Sequence, residues 1–215
     1  MKVKIKIPDT LKDIKLSQYQ KFIESVKDSE DAEFINRQMV SCLCDIEIET
    51  VKQITRSSFN GLVDSLTKIL NEKSSIQTII KHEGVEYGLI PSMEEMTVGE
   101  QADLDSIYGD YSKRAKVMAI LYRPITVKSK GKYLIEDYTG KEQPLDLTLD
   151  VVIGADVFFC NILKDCMSIT LNYIKGEEVQ AKLSQTLAQN GVGIKTFTAS
   201  LEETFLNLKE QLNYH

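Results

Sequence analysis

The sequence predicts an α+β chain dominated by helix, with a short N-terminal strand and two small antiparallel hairpins in its middle. Three observations lead there. Apolar residues recur at three- and four-residue spacing through the first third of the chain. Short alternating runs flank His82-Glu83-Gly84 and Lys130-Gly131 in the middle, and helical spacing returns from Leu145. The pattern divides the chain into a main α+β domain at 1–175 and a C-terminal helical extension at 176–215.

The stretch 2–7 alternates apolar and basic residues and predicts a strand whose lysines suit a sheet edge; Pro8-Asp9 ends it. Ser17 with Gln20 forms a capping-box pattern opening a first helix that faces Tyr19, Phe22, Ile23 and Val26 inward. A second helix starts at about Asp31, with Phe34, Ile35, Val40 and Leu43 inside. Short helices follow at 49–54 and 58–70, the latter carrying Phe59, Leu62, Leu66 and Ile69 on one face. The runs 76–80 and 85–90 form the first hairpin. Thr97 and Glu100 make another capping box, opening an acidic helix to about Tyr108. A helix at 112–121 stops before Pro124, and 126–128 with 133–135 form the second hairpin. A long core helix from Leu145 ends at Gly176, and two shorter helices occupy 177–189 and 201–212.

Composition bounds the function. The 215 residues are 42% apolar and 27% charged, so the chain buries a core without disulfides or a structural metal. The opening MKVKIKIPD lacks the apolar run of a signal peptide, and no stretch approaches the roughly 20 apolar residues of a membrane span. A reducing, cytoplasm-like compartment is expected, with Cys42, Cys44, Cys160 and Cys166 as thiols. A net charge of −6 argues against a dedicated nucleic-acid binder. The average hides a reversal. Residues 92–112 hold Glu94, Glu95, Glu100, Asp103, Asp105 and Asp110 and no base, whereas 113–132 hold Lys113, Arg114, Lys116, Arg123, Lys128, Lys130 and Lys132 and no acid. Three readings stand: solvated faces that partly pair with each other, complementary surfaces between copies, or a phosphate-binding groove.

Chemistry-bearing patterns are absent. Cys42 and Cys44 point about 200° apart on a helix, which is no zinc knuckle. His82 in a turn and His215 at the terminus offer no oriented base. Glu100 and Asp103 share a helix face as a carboxylate pair would, yet polar neighbours make that face read as solvated. Asn190-Gly191-Val192-Gly193 lacks both the third glycine of a dinucleotide fingerprint and the ending of a P-loop. Tyr122-Arg123-Pro124 reads as a turn whose guanidinium staples the two halves by a cation–π contact or a salt bridge. The expectation is a non-catalytic chain with no cofactor and no metal. Its interaction candidates are Lys128, Lys130 and Lys132, the acids Glu100, Asp103 and Asp105, and the C-terminal stripe Leu201, Phe205, Leu208 and Leu212. That stripe, at a/d spacing, either packs on its own domain or docks on a neighbouring subunit.

Several stretches carry a resemblance: Ile5-Lys6-Ile7-Pro8-Asp9, Tyr19-Gln20-Lys21-Phe22, Glu86-Tyr87-Gly88-Leu89-Ile90-Pro91, Met96-Thr97-Val98-Gly99-Glu100, Asp103-Leu104-Asp105, Met118 to Ile125 and Gly154 to Phe159. In this order they resemble a group of tailed-bacteriophage virion and assembly proteins from phages of Bacteroidetes hosts, including crAss-like phages. The similarity runs from about Ile5 to Leu171. It implies a structural protein of the head–tail or portal-vertex region, or a tail-assembly chaperone that stays outside the virion. Its implied partners are other phage structural proteins and copies of itself, in a homo-oligomer or ring, without a membrane or direct nucleic-acid contact. The implied locations are the host cytoplasm during assembly and the virion.

Overall fold

The computed structural model describes residues 5–91 and 96–159. The chain forms two compact units, Met1–Gly154 and Ala155–His215; the described part of the second is the helical stretch 155–159. The fold is α+β and helix-dominated, as the sequence predicts. Helices α1 (Leu16–Val26), α2 (Ala32–Leu43), α3 (Ile48–Val51) and α4 (Arg56–Leu70) come first. Strands β1 (Ile79–His82) and β2 (Val85–Leu89) precede α5 (Val98–Ile107) and α6 (Arg114–Leu121), and β3 (Tyr122–Ser129) and β4 (Lys132–Ile135) follow. A last helix, α7, begins at 149. Among the described residues no helix is long and apolar enough to cross a membrane.

The first four helices enclose one apolar cluster. Val40 and Leu43 of α2, Phe22 of α1 and Phe59, Leu62, Leu66 and Ile69 of α4 meet there, joined by Leu11, Ile14 and Leu149. Asp31 caps α2 by accepting from the Glu33 and Phe34 amides at 2.9 and 3.3 Å, and Thr55 caps α4. Buried in the same cluster are Cys42 and Cys44, both free thiols. Burial pushes the Cys44 thiol up to about 11.

Two expectations about the N-terminal region fail. Residues 5–7 are not a strand, and 2–4 lie outside the described residues. The first helix opens at Leu16, and its reciprocal contact is the Lys15 amide donating to Gln18 Oε1 at 2.9 Å. Ser17 turns instead to a distant partner, its amide and hydroxyl donating to Asp146 at 2.8 and 2.9 Å. A carboxylate 129 residues away thus caps this helix.

The two hairpins merge into one antiparallel sheet of order β1-β2-β3-β4. Each has a two-residue turn, Glu83-Gly84 and Lys130-Gly131, with both residues in the left-handed region; this is the hairpin turn whose twist matches its strands. The expected turn at Tyr122-Arg123-Pro124 is instead the start of β3, paired with β2 through Leu89↔Tyr122, Gly88↔Arg123 and Tyr87↔Pro124. Pro124 costs no helix bond because α6 already ends at Leu121. Tyr133 of β4 reaches across β3 to Gly88, where a Cβ would collide with its ring, and its hydroxyl donates to the Leu89 carbonyl at 2.8 Å. Helix α6 is buried from Val117 to Leu121, apolar all round as a central helix must be.

The segment 145–148 is extended rather than helical, correcting the expected start of the long helix. The Leu16 and Leu149 amides donate to the Leu147 and Ile14 carbonyls at 2.9 and 2.8 Å, and the Leu145 amide donates to the Ala115 carbonyl at 2.9 Å. Asp150, buried, accepts from Gln77 Nε2 at 2.7 Å and Thr148 Oγ1 at 2.5 Å. The remainder of the expected core helix and both C-terminal helices lie outside the described residues.

Two outcomes test this packing. At Gly154 an added Cβ would lie 2.5 Å from the Ser75 carbonyl oxygen, a backbone atom that cannot step aside. Gly154→Ala should lower unfolding free energy by about 1–3 kcal/mol in urea titration. The second concerns pH. The Cys44 thiol titrates higher folded than its ordinary 9.0, and burial raises Tyr19 and Tyr122 in the same sense. Their contribution is complete below the unfolded values and is lost as pH rises. The urea midpoint should therefore fall between about pH 9 and about 11.

Candidate functional site

The most buried charged residue among those described, Glu100, lies where α5 meets β3. The capping box at the start of α5 forms as the sequence predicts: Thr97 Oγ1 accepts from the Glu100 amide at 3.2 Å, and Glu100 Oε2 accepts from the Thr97 amide at 2.6 Å. The other carboxylate oxygen meets Arg123 Nη1 at 2.5 Å. Glu100 is 2% exposed and Arg123 8%. The charges face each other without an aligned N–H···O bond, and Arg123 Nε has no hydrogen-bond partner among the described residues. The Arg123 guanidinium lies 5.9 Å from the Tyr138 ring centre.

Tyr138 extends this cluster outward, its hydroxyl donating to Asp103 Oδ2 at 2.5 Å. Burial, reinforced by that carboxylate, raises the Tyr138 phenol above its ordinary range. Beside it, burial pushes the Glu142 carboxyl up, but hydrogen bonds from Thr139 outweigh burial and hold it below its usual value. A 260 Å³ cleft opens here between Asp103, Lys116, Tyr138 and Glu142. Its carboxylates are engaged locally: Asp103 by Tyr138, Glu142 by the Thr139 amide and hydroxyl at 2.7 and 3.0 Å. Among the described residues no group of three or more His, Cys, Asp or Glu could hold a metal ion.

A second stack joins α5 and α6 to α1. The Arg114 guanidinium sits 4.7 Å from the Tyr108 ring centre and 5.2 Å from that of Tyr111. Tyr19 meets Tyr111 edge-on at 5.9 Å. Gln20 Nε2 donates to the Tyr111 and Ser112 carbonyls at 2.8 and 3.0 Å. Both arginines of the basic stretch thus act inside the unit.

The predicted interaction residues separate accordingly. Glu100 is not on a solvated face, because β3 covers it and Arg123 neutralises it. Asp103 is exposed but held by Tyr138, whereas Asp105 is exposed without an ion pair among the described residues. Lys128 pairs with Glu86 at 2.7 Å, and Lys113 with Asp110 at 3.3 Å. Lys130 and Lys132, at the β3–β4 turn, are exposed and pair with no described carboxylate. The guanidinium staple is real, but its partners are Glu100 and Tyr138 rather than Tyr122, whose hydroxyl donates to the Gln77 carbonyl at 2.8 Å. Leu201, Phe205, Leu208, Leu212, Glu94, Glu95, Cys160, Cys166 and His215 lie outside the described residues. Sequence reasoning missed three exposed apolar residues beside these charges, Val98 at 87%, Leu134 at 63% and Val127 at 52%. Alternation in Lys132-Tyr133-Leu134-Ile135 places Lys132 and Leu134 on one face and was the available signal.

The chain matches no family model, no curated protein and no solved structure.

The ion pair yields a mutational signature. Glu100→Gln keeps the cap but leaves Arg123 buried without its counter-charge, and should cost about 3–5 kcal/mol. Replacing both by apolar residues, Glu100→Leu with Arg123→Met, should cost less than the sum of the two single changes. Urea unfolding of the four proteins in a double-mutant cycle measures the coupling.

Proposed function

We propose that this chain is a non-catalytic structural protein of a tailed-bacteriophage particle, of the head–tail or portal-vertex region, acting through protein–protein contacts. One observation carries the contact-based part of the reading. Lys130 and Lys132 are exposed and have no ion-pair partner among the described residues, and they adjoin the exposed Val127 and Leu134; Asp105, likewise without one, lies about two helical turns from the exposed Val98 on the same face of α5. Apolar surface next to unpaired charge is the composition of a recognition patch. The arginines that could have neutralised phosphates are committed to Glu100, Tyr108 and Tyr111, which favours protein over nucleic acid as the partner. The phage assignment rests on the sequence resemblance, and its partners are other structural proteins of the particle and copies of the chain.

Quantitative mass spectrometry of purified particles from the encoding phage tests the reading. The chain should be present at a fixed number of copies per particle. Abundance in the infected cell with absence from particles would overturn the virion role and favour the tail-assembly chaperone.

A further inference from the structure

The exposed surface of the first unit carries two patches of opposite character. On the β3–β4 hairpin, Val127 and Leu134 are cross-strand partners, 52% and 63% exposed. Lys132 shares the face of Leu134 by strand alternation, and Lys130 occupies the adjoining turn. On α5, Val98 is 87% exposed. Asp105 follows it by seven residues, which returns to within about 20° of the same helical direction, and exposed Ala102 lies between them. One patch is apolar and basic, the other apolar and acidic.

We infer that these patches bind each other between copies: the β3–β4 hairpin of one chain lies with Val127 and Leu134 against Val98 and Ala102 of the next, and its Lys130 and Lys132 face Asp105. Several features favour a second copy as the occupant. The two patches complement each other in charge, and each supplies the apolar cover that the other lacks. The internal partners of the neighbouring charges are already assigned, Lys128 to Glu86, Arg123 to Glu100 and Asp103 to Tyr138, whereas Lys130, Lys132 and Asp105 have no ion-pair partner among the described residues. β4 is a sheet edge, and lysines at such an edge discourage strand addition. That directs the hairpin to dock by its face. Because the two patches differ, the contact is heterologous and repeats head to tail, closing into a ring or continuing as a filament according to the rotation between copies. This inference rests on the contact-based reading above and names its partner and surfaces.

The test is sedimentation velocity of the full chain over a concentration series up to about 1 mM, the weak end of specific affinity, at low salt and at about 0.5 M salt. The wild type should self-associate and weaken with salt. Lys130→Glu with Lys132→Glu should raise the dissociation constant roughly tenfold, and Asp105→Lys should also weaken assembly. Combining all three changes in one chain should restore association, because both sides of the contact are then reversed. Leu134→Ser, at an exposed site, should weaken it at either salt concentration. A monomeric wild type, association indifferent to either reversal, or failure of the combined chain to recover would each overturn the contact. A chain monomeric in solution but abundant in particles would overturn this contact while leaving the structural role. Self-association through these patches by a chain absent from particles would do the reverse.

Discussion

The rest of the first unit depends on the returning segment at 145–150. Leu145, Leu147 and Leu149 are buried, Asp146 and Thr148 between them are half-exposed, and Asp150 is buried beside Leu149. The leucines enter the interior while the segment's side chains and backbone bond to several distant regions. Asp146 caps α1, the backbone at 147–149 pairs with Ile14 and Leu16, and the Leu145 amide reaches α6. Asp150 holds the segment before β1 through Gln77, and its carbonyl accepts from Ser74 at 2.6 Å. Closing a loop of this length costs only modestly more entropy than closing a short one. A few well-placed bonds therefore suffice to fasten helices and sheet together.

The ion pair between Glu100 and Arg123 plays the corresponding part inside the sheet half. A glutamate at the third position of a helix is normally a surface cap, and here it keeps that role with one oxygen while the other faces β3. Two buried charges are tolerable only while both are present. Their mutual dependence fixes α5 against β3, and Tyr138 covers the outer side. The same arrangement takes part of the charge reversal along the chain into the interior. Opposite charges pair in Arg123 with Glu100 and Lys113 with Asp110, while Asp105, Lys116, Lys130 and Lys132 stay exposed without an ion pair among the described residues.

Local rules make much of the fold legible. Asp31, and Thr97 with Glu100, announce helix starts that need only nearby atoms, and both Gly-containing turns announce hairpins. The failures are non-local. Ser17 carries the pattern of a cap, but its partner is Asp146 rather than a neighbour. Leu145 to Asp150 alternates with a period of two, yet the apolar residues after it impose a helical reading on the whole stretch. Glu100 is legible as a cap and illegible as a buried ion, since nothing nearby in sequence reveals that Arg123 lies over it. Val127 and Leu134 read as strand residues, but only the sheet order reveals that their face is uncovered.

The central claim is that the segment at 145–150 makes helices and sheet one cooperative body. Native-state hydrogen exchange tests it directly, because amides that open only in global unfolding share one free energy and one denaturant dependence. The account predicts that Val40 and Leu66 in the helical cluster, Leu16 and Leu149 at the junction, and Leu89 in the sheet exchange through the same opening. Exchange of Leu89 through a separate opening of lower free energy, while Val40 and Leu66 remain protected, would contradict it.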